Sequence, residues 1–168
     1  INSKTLNFLG MLVIIASLVF HELNHGLTAE LFGVQIDKIG LVFLGAYVSS
    51  SDTSLFIQNS LPALVVVFVG PASNFILAAI CAKLYHWLSE SKLRKMMWVS
   101  AAVNVQLGVL NILPFGPFDG GKMASNLLNM IWGQDIANMA MPFLSISTLT
   151  ILIQFGIPSR KIEKYLKI

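Results

Sequence analysis

The stretch from Met11 to Phe20 carries no charge, and it runs directly into His21-Glu22-Leu23-Asn24-His25. A run this apolar reads as part of a membrane span, and lipid forces such a span to be helical because backbone amides find no other partner there. On a helix, positions i and i+4 share a face, so His21 and His25 point the same way. That is the spacing by which two imidazoles hold one Zn²⁺, with the adjacent Glu22 placed as general base. Three ionisable side chains at this depth are costly. They persist where they face a cavity, pair with one another or hold a ligand. The pattern points to metal-dependent hydrolysis inside a membrane.

Composition agrees with a bilayer. The chain is 55% hydrophobic and 11% charged, where a soluble domain carries about 25% charged residues. Its mean hydropathy is +0.75. The formal charge of +3 is small and spread out, which argues against nucleic acid as a partner. Cys81 is the single cysteine, so no internal disulfide forms. The sequence begins at Ile1 rather than Met, which reads as a processed product or a piece of a longer chain. Residues 5–20 have the apolarity of a signal peptide, but no small-x-small cleavage site follows them.

The expected fold is an all-α polytopic membrane protein, one domain over 1–168, with about four transmembrane helices. The spans fall at about 6–32, 61–84, 96–113 and 137–155. Gly33 ends the first, Pro62 opens the second, and Pro114 closes the third. Pro142 lies inside the fourth, which Gly156 and Pro158 close. Between the first two spans, residues 34–48 are β-branched and aromatic and too short to cross as a helix. They read as a small membrane-associated β-hairpin or sheet. Residues 49–54 are a polar loop and 89–95 a short charged turn. The tail 159–168 is basic, amphipathic and interfacial. The region between 114 and 136 reads as loop.

A catalytic zinc site built on two histidines needs a third protein ligand and one open position. His86, beside Trp87, reads as an interfacial residue. Asp119 is more distinctive. It lies in Asn111-Ile-Leu-Pro-Phe-Gly-Pro-Phe-Asp-Gly-Gly121, after the helix-breaking Pro114 and Pro117 and before Gly120 and Gly121. Irregular backbone beside a membrane is tolerated where it is buried in protein or lines a wet cavity. A carboxylate there would complete a His21–His25–Asp119 site holding one Zn²⁺ per chain.

His21-Glu22-x-x-His25, Gly70-Pro71-x-x-Asn74 and Asn111-x-x-Pro114-x-x-Pro117-x-Asp119-Gly120 occur in this order on successive spans. Together they resemble the site-2 protease family of intramembrane zinc metalloproteases, over most of the chain. The resemblance implies a zinc endopeptidase that cleaves a transmembrane or membrane-tethered protein, in regulated intramembrane proteolysis or in signal-peptide or pro-peptide processing. It implies that His21, His25 and Asp119 ligate zinc and that Glu22 activates water. It also implies that Asn111 and the neighbouring Gly120 meet the substrate, that Pro114 and Pro117 stiffen the Asp119 segment, and that Asn74 braces the site. Asn74 and Asn111 each also fit interhelical hydrogen bonding, and Gly70-Pro71 reads as a packing kink. Asn24 and Phe118 stand where the family often has Gly and Leu. No PDZ or CBS domain is expected, since the turn at 89–95 has no room for one.

Glu22 separates this reading from its alternative, a non-catalytic zinc-binding scaffold subunit of the same fold, which needs no general base. A regulatory membrane partner and an oligomer both stay open. The small single-core form points to a prokaryotic cell membrane. The family places its active site toward the cytoplasm, yet the basic residues disagree. Lys4, Lys83, Lys92, Arg94, Lys95, Arg160, Lys161, Lys164 and Lys167 fall on one side of four spans, and Lys38 and Lys122 on the side of the zinc motifs. The positive-inside rule would make the first side cytoplasmic.

Overall fold

The computed structural model describes residues 3–42, 45–51 and 61–156. In chain order they form α1 (Ser3–Leu31), β1 (Lys38–Val42), β2 (Gly45–Ser49), α2 (Leu61–Trp87), α3 (Lys92–Ile112), α4 (Asp119–Trp132) and α5 (Gln134–Gly156). The tail at 159–168 and the loop beyond residue 51 lie outside the described residues.

Among the described residues, three helices are long and apolar enough to cross a membrane: Phe8–Leu31, Leu61–Trp87 and Gln134–Leu152. The other expected span lies at 96–113. That segment is helical, within the 21-residue α3, but it carries Asn104, Gln106 and Asn111 and is not among the three. The physical reason is that part of its polarity serves the protein interior. α3 packs along α2 and also touches α1 and α4, and its Asn104 is fully enclosed.

The interior is unusually polar. Ser17, His21, Ser73, Asn74, Asn104, Asp119 and Thr148 are all buried. Large apolar side chains such as Met139, Phe143 and Ile146 on α5 face outward, where lipid suits them. A small apolar cluster of Ala29, Val34 and Val66, with Ile36 against it, sits where α1 leads into the sheet.

α1 ends at Gly33, whose φ of 86° lets the Val34 N–H turn back to the Ala29 carbonyl at 3.1 Å. β1 and β2 then pair antiparallel, from Lys38↔Ser49 to Val42↔Gly45. The sheet rests against α1.

The loop expected between 114 and 136 is corrected. It contains α4, a 14-residue helix. The Gly120-Gly121 pair lies in its first turn rather than in a reverse turn. Added Cβ atoms there would strike the Ile112 and Leu113 carbonyls and the Phe115 carbonyl respectively. Glycine is therefore needed for close packing at that point, not for flexibility. α5 packs on α4. Its Ser145 hydroxyl accepts the Gly116 N–H at 3.2 Å, and its Thr148 hydroxyl donates to the Pro114 carbonyl at 3.5 Å. These contacts anchor the proline segment that leads into Asp119.

Candidate metal centre

His21 and His25 stand one turn apart on α1, and Asp119 opens α4. The Nε2 atoms of the two histidines lie 3.0 Å apart. Asp119 Oδ2 lies 2.8 Å from His21 Nε2 and 3.1 Å from His25 Nε2. Zinc bonds of about 2.0–2.1 Å in a tetrahedron separate ligand atoms by roughly 3.3–3.4 Å. The observed triangle is slightly tighter and has the right shape for three ligands of one ion.

The other ring nitrogens are tied down. His25 Nδ1 donates to the Val66 carbonyl at 2.7 Å, and His21 Nδ1 donates to Asn74 Oδ1 at 2.5 Å. With hydrogen on Nδ1, the Nε2 of a neutral imidazole keeps its lone pair. Two such lone pairs and a carboxylate oxygen therefore converge on one point, which needs a positive charge to hold it together. A proton or a metal ion would serve, and the donor set of two imidazoles and one carboxylate suits zinc.

The Asp119 charge is supported from several directions. It opens a helix, where the dipole favours an anion. Its Oδ1 accepts from Lys122 Nζ at 3.0 Å. Burial alone pushes the carboxyl up. The contacts with His21 and His25 and the charge of Lys122 outweigh that, and hold it well below the usual carboxylate range.

Glu22 supplies an oxygen in the same group of atoms as the two histidines, all within 4.8 Å of one another. Beside it lies a cavity of about 140 Å³. Glu22, His25, Ser50, Asp119 and Lys122 form its polar side, and Ala29, Val34, Ile36, Val66 and Val67 are among its apolar walls.

Two residues of α2 make the site possible. Gly70 lies directly against the imidazoles, so that a Cβ there would clash with His25 Nε2 and lie 2.7 Å from His21 Nε2. Pro71, the next residue, has no N–H to give the Val67 carbonyl. The helix is thus interrupted one residue from the Val66 carbonyl that holds His25. Gly70-Pro71, read from sequence as a packing kink, shapes the site itself.

The structure brings His21, Glu22, His25 and Asp119 together and sets Asn74 behind His21. It does not bring in every expected residue. Asn111 Nδ2 donates to the Leu107 carbonyl of its own helix at 3.0 Å. Gly120 is buried against the Ile112 and Leu113 carbonyls rather than on the cavity wall. Pro114 is half-buried and Pro117 exposed. His86 is stacked edge-on against Tyr85, on the last turns of α2, well away from the cavity. Sequence reading missed Asn104, Ser17 and Lys122. Lys122 carried a usable signal, since three residues after Asp119 on a helix put it on the same face.

Residues 9–90 and 86–154 match the description of peptidase family M50. Rip3 of Mycobacterium tuberculosis, whose name assigns it provisionally to the zinc metalloproteases, is 30% identical over 118 residues, covering 68% of this chain and 29% of Rip3. Zinc metalloprotease MJ0392 of Methanocaldococcus jannaschii is 24% identical over 155 residues, covering 90% of this chain and 43% of that protein. The solved site-2 protease from Methanocaldococcus jannaschii has the same fold, with a TM-score of 0.66 at 24% identity over 90% of this chain and 68% of that one. The chain thus spans less than half the length of either named relative.

Proposed function

The chain belongs to peptidase family M50, and from that premise we propose that it is a zinc endopeptidase that cuts a transmembrane or membrane-tethered protein within the bilayer. The observation that carries the reading is the meeting of His21 Nε2, His25 Nε2 and Asp119 Oδ2 within 3.1 Å, with a Glu22 oxygen within 4.8 Å of the histidine nitrogens. A scaffold subunit would have no use for that carboxylate beside an open cavity.

His21, His25 and Asp119 would hold one zinc ion. When bound, zinc supplies Lewis acidity toward the scissile carbonyl and the attacking water. Glu22 takes a proton from that water as it attacks the carbonyl carbon, then delivers it to the leaving amine nitrogen. Asn74 and the Val66 carbonyl keep the imidazoles aimed. The Ala29–Val34–Val66 wall accepts an apolar side chain next to the cut and excludes bulk water from it.

A substrate helix shields its own amides, so it must unwind before attack. We assign the β1–β2 sheet to holding the unwound strand by strand addition, with Asn111 as a second backbone contact once its amide leaves the Leu107 carbonyl of its own helix. The membrane is the working environment, and the site faces the cytoplasm in this proposal despite the basic residues at the opposite ends of the helices.

The test is cleavage of a model transmembrane substrate by purified protein in detergent, with zinc assayed in parallel. Wild type should cut and hold about one zinc. Glu22→Gln should hold the same zinc and lose about 10²–10⁴-fold in rate. A zinc-loaded wild type that cuts nothing across a panel of membrane substrates, or a fully active Glu22→Gln, would sink the proposal.

A further inference from the structure

Behind His21 runs an enclosed chain of hydrogen bonds through three helices, and its direction is set at the far end. The Ser100 carbonyl can only accept, so the Asn104 group facing it at 2.8 Å is Nδ2. The same Nδ2 donates to Ser17 Oγ at 2.9 Å. Asn104 therefore turns Oδ1 toward Asn74 and accepts from Asn74 Nδ2 at 2.9 Å. Asn74 in turn presents Oδ1 to His21, which requires hydrogen on His21 Nδ1. In the neutral ring His21 Nε2 then keeps its lone pair, facing His25 and Asp119.

We propose that Asn104 is a positioning residue for the metal centre: by holding the Asn74 amide in one orientation it fixes the His21 tautomer that leaves Nε2 open to a metal. The inference rests on the zinc reading of the site above. Asn74 and Asn104 both have 0% exposure, so no bulk water can take over either role. An amide is nearly symmetric in shape, and its two ends differ only in what they donate or accept. Without Asn104, nothing described around Asn74 distinguishes its ends. A flipped Asn74 would point Nδ2 at His21, draw the ring hydrogen to Nε2 and so occupy the ligand atom. Partners of this kind usually change metal affinity by about 10–100-fold when removed.

The experiment uses the full chain in detergent, stripped of metal, with ¹⁵N-labelled histidine. Nitrogen shifts report the tautomer, and competition with a chelating dye reports zinc affinity. Wild type should show Nδ1–H at His21. Asn104→Leu should shift the ring toward Nε2–H and weaken zinc by about 10–100-fold. Asn74→Asp provides the rescue. A carboxylate accepts at both oxygens and has no orientation to lose, so adding Asn104→Leu to Asn74→Asp should change zinc affinity by less than about threefold, within the spread expected of uncoupled sites. A packing role for Asn104 would weaken zinc equally in both backgrounds and overturn the proposal. If Asn104→Leu does not fold, wild type alone still decides, because a neutral His21 ring with hydrogen on Nε2 and none on Nδ1 in the metal-free protein overturns it. A wild type with Nδ1–H that takes up no zinc removes the metal reading, and with it the purpose assigned to Asn104, while leaving the hydrogen-bond chain intact.

Discussion

A Cβ on Gly70 would fall onto His25 Nε2, the atom that faces Asp119. The glycine is therefore the floor of the metal centre, supplied by a helix that contributes none of the three converging donor atoms.

Gly70→Ala is expected to lose zinc rather than merely slow turnover. The added methyl takes the space of the ligand atoms, and displacements near 1 Å at a reacting centre cost about 100-fold in rate. Zinc content and cleavage should fall together while the helical circular dichroism stays unchanged. A variant with full zinc and normal cleavage would show that the imidazoles can step aside.

The histidines and Glu22 were legible because their chemistry is written at helical spacing in an apolar run. Asp119 was legible because a carboxylate between Pro117 and Gly120 has no packing reason to sit at a membrane face. Asn104 was not legible: one amide in α3 carries no local pattern, and its partners Ser17 and Asn74 are 87 and 30 residues away. Gly70 was read as a kink because a glycine's neighbours across the fold leave no mark on its own segment. α4 was hidden by two prolines and two glycines, which signal loop unless one knows that a neighbouring backbone needs the space. α3 was taken as a span because its length and its apolar positions suited one, and the inward direction of Asn104 emerges only on packing.

Gly120→Ala discriminates between two roles. If Gly120 meets substrate, the change raises KM and leaves zinc in place. The structure instead sets its Cα against the Ile112 and Leu113 carbonyls. An added Cβ must push α4 away, at a cost of about 1–3 kcal/mol for overpacking, and Asp119 moves with it. Thermal unfolding at lower temperature together with weaker zinc binding is the expected result. Unchanged zinc affinity with a raised KM would return Gly120 to the substrate.

Lys122→Met removes the partner of Asp119 Oδ1. The lysine side chain is 61% exposed, so the ion pair itself should contribute no more than about 1 kcal/mol to stability. Its place on the cavity wall gives it a larger role in turnover. Cleavage should drop by about tenfold, the low end for a partner of a ligand, with zinc retained. Equal rates for variant and wild type would reduce Lys122 to a solvated charge.

Ala29→Leu tests what the cavity is for. Ala29 is 3% exposed and forms part of its apolar wall with Val34, Val66 and Val67. Three added carbons would occupy a large share of about 140 Å³. If the cavity receives a substrate side chain beside the cut, the variant should keep zinc and still cleave sites flanked by Gly or Ala. It should lose those flanked by Leu or Phe, by about 10–200-fold, as one or more excess methylenes cost in a closed apolar pocket. A uniform loss across all flanking residues would mean that the methyls disturb the centre instead, and an unchanged preference would mean that the substrate side chain lies elsewhere.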